Sequence, residues 1–175
     1  TLQPGEFLQL RDTLLGAART HRLLTNLEVR FPGLADIAWR ILLLPPLVDS
    51  IARVLDDRGE IRDNASPELS RIRNELRGAQ DRIQDRLRRM ITAPEVAPYL
   101  QEPIITRRDG RFVIPVKADS KSRVRGVVHD RSSSGVTLFM EPLAIVELNN
   151  TLRELRLAEE EEIRRLLAAL TMQVA

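Results

Sequence analysis

Apolar residues between Leu69 and Met90 recur at steps of three or four: Leu69, Ile72, Leu76, Ala79, Ile83, Leu87 and Met90. A stripe this narrow is a coiled-coil seam, not the broad apolar face of a helix laid on a globular core. A second seam, Ile145, Leu148, Leu152 and Leu155, resumes at Ile163, Leu166 and Leu170 after the acidic run 159–162, where its phase slips. Ser66-Pro67 opens the first helix, with Ser as N-cap and Pro at the first helical position. Pro94 closes it, and Pro142 sits where the second begins. A polar rod of about 27 residues, roughly 40 Å long, is marginal alone in water. The two seams are therefore expected to pair antiparallel, flanking whatever lies between them.

What lies between, residues 103–142, reads as strand. Ile104 to Arg107 and Phe112 to Val116 flank Arg108-Asp109-Gly110-Arg111, and Asp-Gly suits a tight hairpin turn. That turn would set Ile105 opposite Ile114 and Thr106 opposite Val113. Alternation then places Ile105, Phe112, Ile114 and Val116 on one face, with Arg108, Arg111 and Lys117 on the other. Pro115 has no amide donor, so its strand is expected at an edge. Val124 to Val128 and Val136 to Met140 supply two more strands, giving a four-stranded antiparallel sheet with an apolar and a basic side. The fold class expected is mainly α with a small β insertion (α+β): a helical core segment over 1–65, antiparallel long helices over 66–100 and 141–175, and the β segment over 101–140.

The first third carries no visible chemistry. A helix from near Pro4 to Leu24, a break at Pro32-Gly33, and short helices over Leu34 to Leu42 and Leu47 to Leu55 make a compact helical piece. Trp39, on a stripe with Leu34 and Leu43, is expected in its core.

Charge is distributed unevenly. The net is only +2, but between Arg107 and Arg131 eight basic residues face three aspartates, a local +5. The first rod is rich in Arg and the second in Glu, which favours register more than stability. A basic β tip suits a polyanion met through its phosphates. It also suits a solvated edge guarded by cations against aggregation. Aromatic residues are 3% of the chain, which argues against base stacking as the binding mode. The candidate nucleic-acid contacts are Arg108, Arg111, Lys117, Lys121, Arg123 and Arg125, with Lys121, Arg123 and Arg125 expected on one side of a loop and strand.

His129-Asp130 followed by serines contains the residue types of a catalytic triad. Neighbours on a strand point to opposite faces, so these two cannot readily orient one another. Ser132, Ser133, Ser134 and Gly135 read as a tight turn, or as an anion site built from backbone amides. With no cysteine and two distant histidines, no metal cluster is expected. No Gly-rich loop ending in Lys-Ser/Thr is present, so no ATP site is assigned to any residue. No apolar run approaches the ~20 residues of a membrane span. A chain opening on Thr1 without a leader reads as a piece of a longer cytoplasmic protein.

Three successive stretches, RDGRFVIPVK, GVVHDRSSSGVTLFMEP and VELNNTLRELRLAEEEEI, resemble the bacterial MutS-II family of MutS paralogues. The resemblance runs without a gap from about Ser66 through Ala175 and is weaker before it. It implies a core, a pair of lever helices and an inserted clamp that closes on nucleic acid. It also implies parts beyond these residues: a dimerising ATPase domain using ATP and Mg, and a C-terminal Smr endonuclease domain. No cofactor is expected on the present residues, and no catalytic residue of the family has a matching position. Partners implied are duplex or branched DNA, rRNA or the ribosome, and a second copy in the full-length protein. The roles implied are suppression of homologous recombination and rescue of collided ribosomes. Two other readings remain beside this one: a protein- or ribosome-docking and dimerisation module, and a metal-dependent nuclease site formed by the aspartates between Arg111 and Asp130.

Overall fold

A computed structural model describes residues 1–174. The chain is mainly helical, with one small antiparallel sheet. Its helices are α1 (Pro4–Thr25), α2 (Pro32–Ala38), α3 (Pro45–Val54), α4 (Pro67–Thr92) and α5 (Val146–Val174). Its strands are β1 (Thr106–Arg108), β2 (Arg111–Lys117), β3 (Gly126–Arg131) and β4 (Thr137–Pro142). Two compact units result, one of residues 1–71 with 160–174, the other Ile72–Glu159.

In the first unit, Phe7, Ile51, Leu55, Leu69, Leu166 and Leu170 belong to one buried cluster. The Ser66 hydroxyl accepts the Leu69 amide at 3.0 Å, as an N-cap should, and donates to Glu162 at 2.6 Å. Glu162 is buried because the slipped phase of the seam turns this acid inward. A fork from Arg165 holds its carboxyl below the usual range against the opposing effect of burial, and Ser66 assists. Trp39 departs from expectation: it is 63% exposed and packs nearly perpendicular to the His21 ring, ring centres 5.3 Å apart. Helix α2 ends at Ala38, and its buried residues are Ala35 and Ala38.

The second unit has a larger apolar core. Ile72, Leu76, Ala79, Ile83 and Leu87 of α4 cluster with Leu152 of α5 and with Phe112, Ile114, Val116, Leu138 and Met140 of the sheet. Arg73 donates to Glu159 at 2.7 Å, while Leu148 lines a cleft with Arg82, Asp85 and Arg89. The two helices therefore run antiparallel here. Fully burying each such Leu or Ile contributes about 1.5–3 kcal/mol, more than an exposed ion pair can.

The hairpin follows the sequence closely. Thr106 pairs Val113, Arg107 pairs Phe112, and Arg108 pairs Arg111. Asp109 and Gly110 both have positive φ, 49° and 79°, the conformation of a two-residue primed turn. The sheet order is β1-β2-β4-β3, so β2 is central and the expectation of an edge strand fails. Pro115 is tolerated because its backbone faces away from the β4 ladder. Its carbonyl accepts the Gln101 amide at 2.9 Å, on a side held only by an isolated bridge between Leu100 and Val116. The strand is also buried on both faces over 112–116, since Val113 and Pro115 are covered as well as Phe112, Ile114 and Val116. No simple basic side exists. Residues 118–123 form a 3-10 helix, not a strand, so Lys121 and Arg123 do not alternate with Arg125 along one strand face.

Candidate nucleic-acid interface

The cations read from the sequence fall into two groups. At the hairpin, Arg111 sends Nε to Glu141 Oε2 and Nη2 to Glu141 Oε1, both at 2.7 Å, and Nη2 also reaches Asn150 Oδ1 at 2.9 Å. Glu141 is 1% exposed and receives Asn149 Nδ2 at 2.7 Å, with His129 Nε2 at 2.6 Å. Burial pushes the Glu141 carboxyl up. Hydrogen bonds from Arg111, Asn149 and His129, with the Arg111 charge, outweigh that and hold it below the usual range. Arg111 thus completes a buried ionic network. Arg108 bonds Asp130 at 2.9 Å and lies over the Phe139 ring, 3.7 Å from its centre.

Asn149 explains the asparagine pair in α5. Its side chain accepts the Phe112 amide and donates to the Phe112 carbonyl, each at 3.1 Å. Those two bonds replace a strand neighbour at a point where β4 ends in Pro142, which has no donor. The signal in the sequence was two adjacent Asn in an otherwise good helix. Glu141 and His129 gave no comparable signal, because they meet only once β3 and β4 pair.

The second group lies on the loop from β2 to β3. Lys121, Arg123 and Arg125 are all exposed. Among the described residues, none has an acidic side chain within ion-pair distance. Arg123 makes only a long approach to the Tyr99 ring, 6.0 Å. Lys117 sits between the groups and gives one bond to the Pro98 carbonyl at 2.9 Å. Arg107 and Arg156, which sequence reasoning did not single out as contacts, add charge beside the hairpin. Arg107 lies over Phe112 at 4.3 Å, and Arg156 donates to the Gly110 carbonyl at 3.1 Å.

His129 and Asp130 part company at a bulge in β3, between Val128 and Asp130. His129 turns to Glu141 and Asp130 to Arg108. The Ser132 hydroxyl accepts the Thr137 amide at 3.1 Å, and the Ser132 carbonyl accepts the Gly135 amide at 2.8 Å. Gly135 has φ +76°, so the turn needs a residue free of Cβ strain. No group of three or more His, Cys, Asp or Glu able to hold a metal is found among the described residues. Among the described residues, no helix is long and apolar enough to cross a membrane.

A helix pair carrying an inserted sheet, with a buried ionic network at the hairpin and exposed cations on the β2–β3 loop, defines a class of helical scaffold proteins with a β insertion. Comparison with known proteins makes this specific. The chain is 43% identical to the endonuclease MutS2 of Pelotomaculum thermopropionicum over 174 residues, covering 99% of this chain and 22% of that protein. It is 45% identical to the endonuclease MutS2 of Symbiobacterium thermophilum with the same coverage, and 44% identical over 177 residues to that of Thermomicrobium roseum. The chain belongs to the MutS2 family. It spans about a fifth of the length of these curated relatives. No family model matches it.

Proposed function

We propose that this chain is the nucleic-acid-holding segment of a MutS2-type protein, with α4 and α5 as levers and the sheet as clamp. The observation that carries the reading is the exposure of Lys121, Arg123 and Arg125 without acidic partners, whereas Arg108 and Arg111 are paired with Asp130 and Glu141. Side chains held in this state suit phosphate oxygens, and they offer no groove-sized helix for reading bases. The names of the relatives support an endonuclease for the longer protein. Within that reading, ATP with Mg, dimerisation and strand cleavage belong to parts of the longer protein outside these residues, and DNA junctions or ribosomal RNA are its substrates.

A salt titration on duplex DNA tests it. If three cations meet phosphates, log K against log[salt] slopes at roughly −2.7, and the Lys121→Gln/Arg123→Gln/Arg125→Gln variant loses most of that slope. Unchanged binding by the triple variant overturns the reading.

A second reading, docking of a protein partner, is favoured by the first unit. Leu23, Ile37, Trp39 and Leu42 are 58–74% exposed there. Exposed apolar side chains of this size suit a protein partner where they lie together. Salt-insensitive association abolished by Trp39→Ser would favour it.

A further inference from the structure

The serine turn between β3 and β4 forms one wall of an open cleft of about 560 Å3. Its other walls come from the end of β2 and the 3-10 helix that follows, and its polar lining is Gln101, Lys117, Asp119, Arg131 and Ser134. Lys117 spends one N–H on the Pro98 carbonyl and keeps two donors. The Arg131 guanidinium has no acceptor among the described residues. Asp119 takes one hydroxyl, that of Ser120, on Oδ1 at 2.9 Å, and no protein donor reaches its other oxygen among the described residues. The wall is set in advance by the Ser132 and Gly135 bonds, so a ligand does not have to order it.

The chemistry of this lining is mixed in an informative way. Two cations suit a phosphate. The carboxylate beside them repels a bare phosphodiester, and it favours a ligand that brings a hydroxyl donor next to its phosphate. No aromatic residue lines the cleft, so a base would find no stacking platform there. Ribose offers such a donor through its 2′-OH, and deoxyribose does not.

We propose that this cleft holds one ribonucleotide unit of an RNA backbone, with its phosphate between Lys117 and Arg131 and its 2′-OH donating to Asp119. The proposal rests on the nucleic-acid reading above and deepens it from any duplex to RNA.

The test compares the full chain on an RNA duplex and on the same duplex made with 2′-fluoro sugars, which keep A-form geometry but have no hydroxyl donor. A DNA duplex of the same sequence is a third arm. RNA is expected to bind about two- to five-fold tighter than the 2′-fluoro duplex, the scale of one exposed polar contact. Asp119→Asn should tighten the 2′-fluoro and DNA duplexes and close the gap. Val136→Trp adds neutral bulk at a cleft residue that is 56% exposed, and should erase the RNA preference while leaving the salt-dependent binding through Lys121, Arg123 and Arg125. An Asp119→Asn protein with an undiminished gap, or a Val136→Trp protein that keeps the RNA preference, overturns the cleft. Equal, salt-dependent binding of all three duplexes overturns the cleft but leaves the wider reading standing. Absence of salt-dependent binding to any duplex overturns both.

Discussion

Arg111 and Arg123 are the same residue type twelve positions apart, on the same β insertion, and they do opposite things. Arg111 is turned inward onto a carboxylate that is 1% exposed, with two asparagines completing the network. Arg123 is exposed at the end of a 3-10 helix, with its guanidinium over the Tyr99 ring, 6.0 Å from the ring centre. A count of positive charge treats them alike. The structure gives one a buried acid and leaves the other in solvent, because only the hairpin brings a buried acid within reach.

That contrast is most open to breaking by stability. Arg111→Met leaves Glu141 buried and without its main partner, and should cost about 3–5 kcal/mol. Arg123→Met should stay within about 0.5 kcal/mol. Equal shifts in urea midpoint would mean the two arginines are not distinct. Acid sharpens the point. The Glu141 carboxyl is lowered in the folded state, so its contribution is fully present above the ordinary carboxylate pKa of about 4.3 and is lost as pH falls through the lowered folded value. In Glu141→Gln that acid-dependent part should vanish, which urea titrations from about pH 7 to about pH 3 would show.

A smaller effect is expected at Asn149. With Ala there, the Phe112 amide and carbonyl lose their partners inside the protein, at about 1–3 kcal/mol. Hydrogen exchange at the Phe112 amide should quicken more than at the Ile114 amide, which lies in β2 where it pairs with β4. Uniform quickening would indicate general loosening instead. The smallest effect belongs to Asp130→Asn. It releases Arg108 from its acid, moving one hairpin cation toward the solvent-facing group, and should tighten duplex binding by about two-fold. Weaker binding would mean that Asp130 positions Arg108 for its ligand.

Much of the architecture was legible in the residues because it depends on local rules. The seam from Leu69 to Leu87 is buried throughout, since 3-4 spacing fixes a helix face regardless of what covers it. Asp109-Gly110 fixes the hairpin, since few other dipeptides accept two positive φ angles in succession. The resemblance to MutS-II, carried by three motifs, is matched by relatives at 43–45% identity.

What the sequence could not determine was decided by contacts between distant residues. Pro115 alone argues for an edge, but strand order depends on where β4 docks, and the missing donor can face the irregular side of a central strand. Trp39 alone argues for a core, but burial depends on what packs over a residue, and in the folded chain Trp39 is left 63% exposed. Glu141, His129 and Asn149 become one site only when β3 pairs with β4 and α5 crosses the end of β2. Periodicity and turn chemistry act over a few residues and survive in the sequence. Whether a charge is spent on a buried partner or left for a ligand is a property of pairs many positions apart, and only the folded chain brings those pairs together.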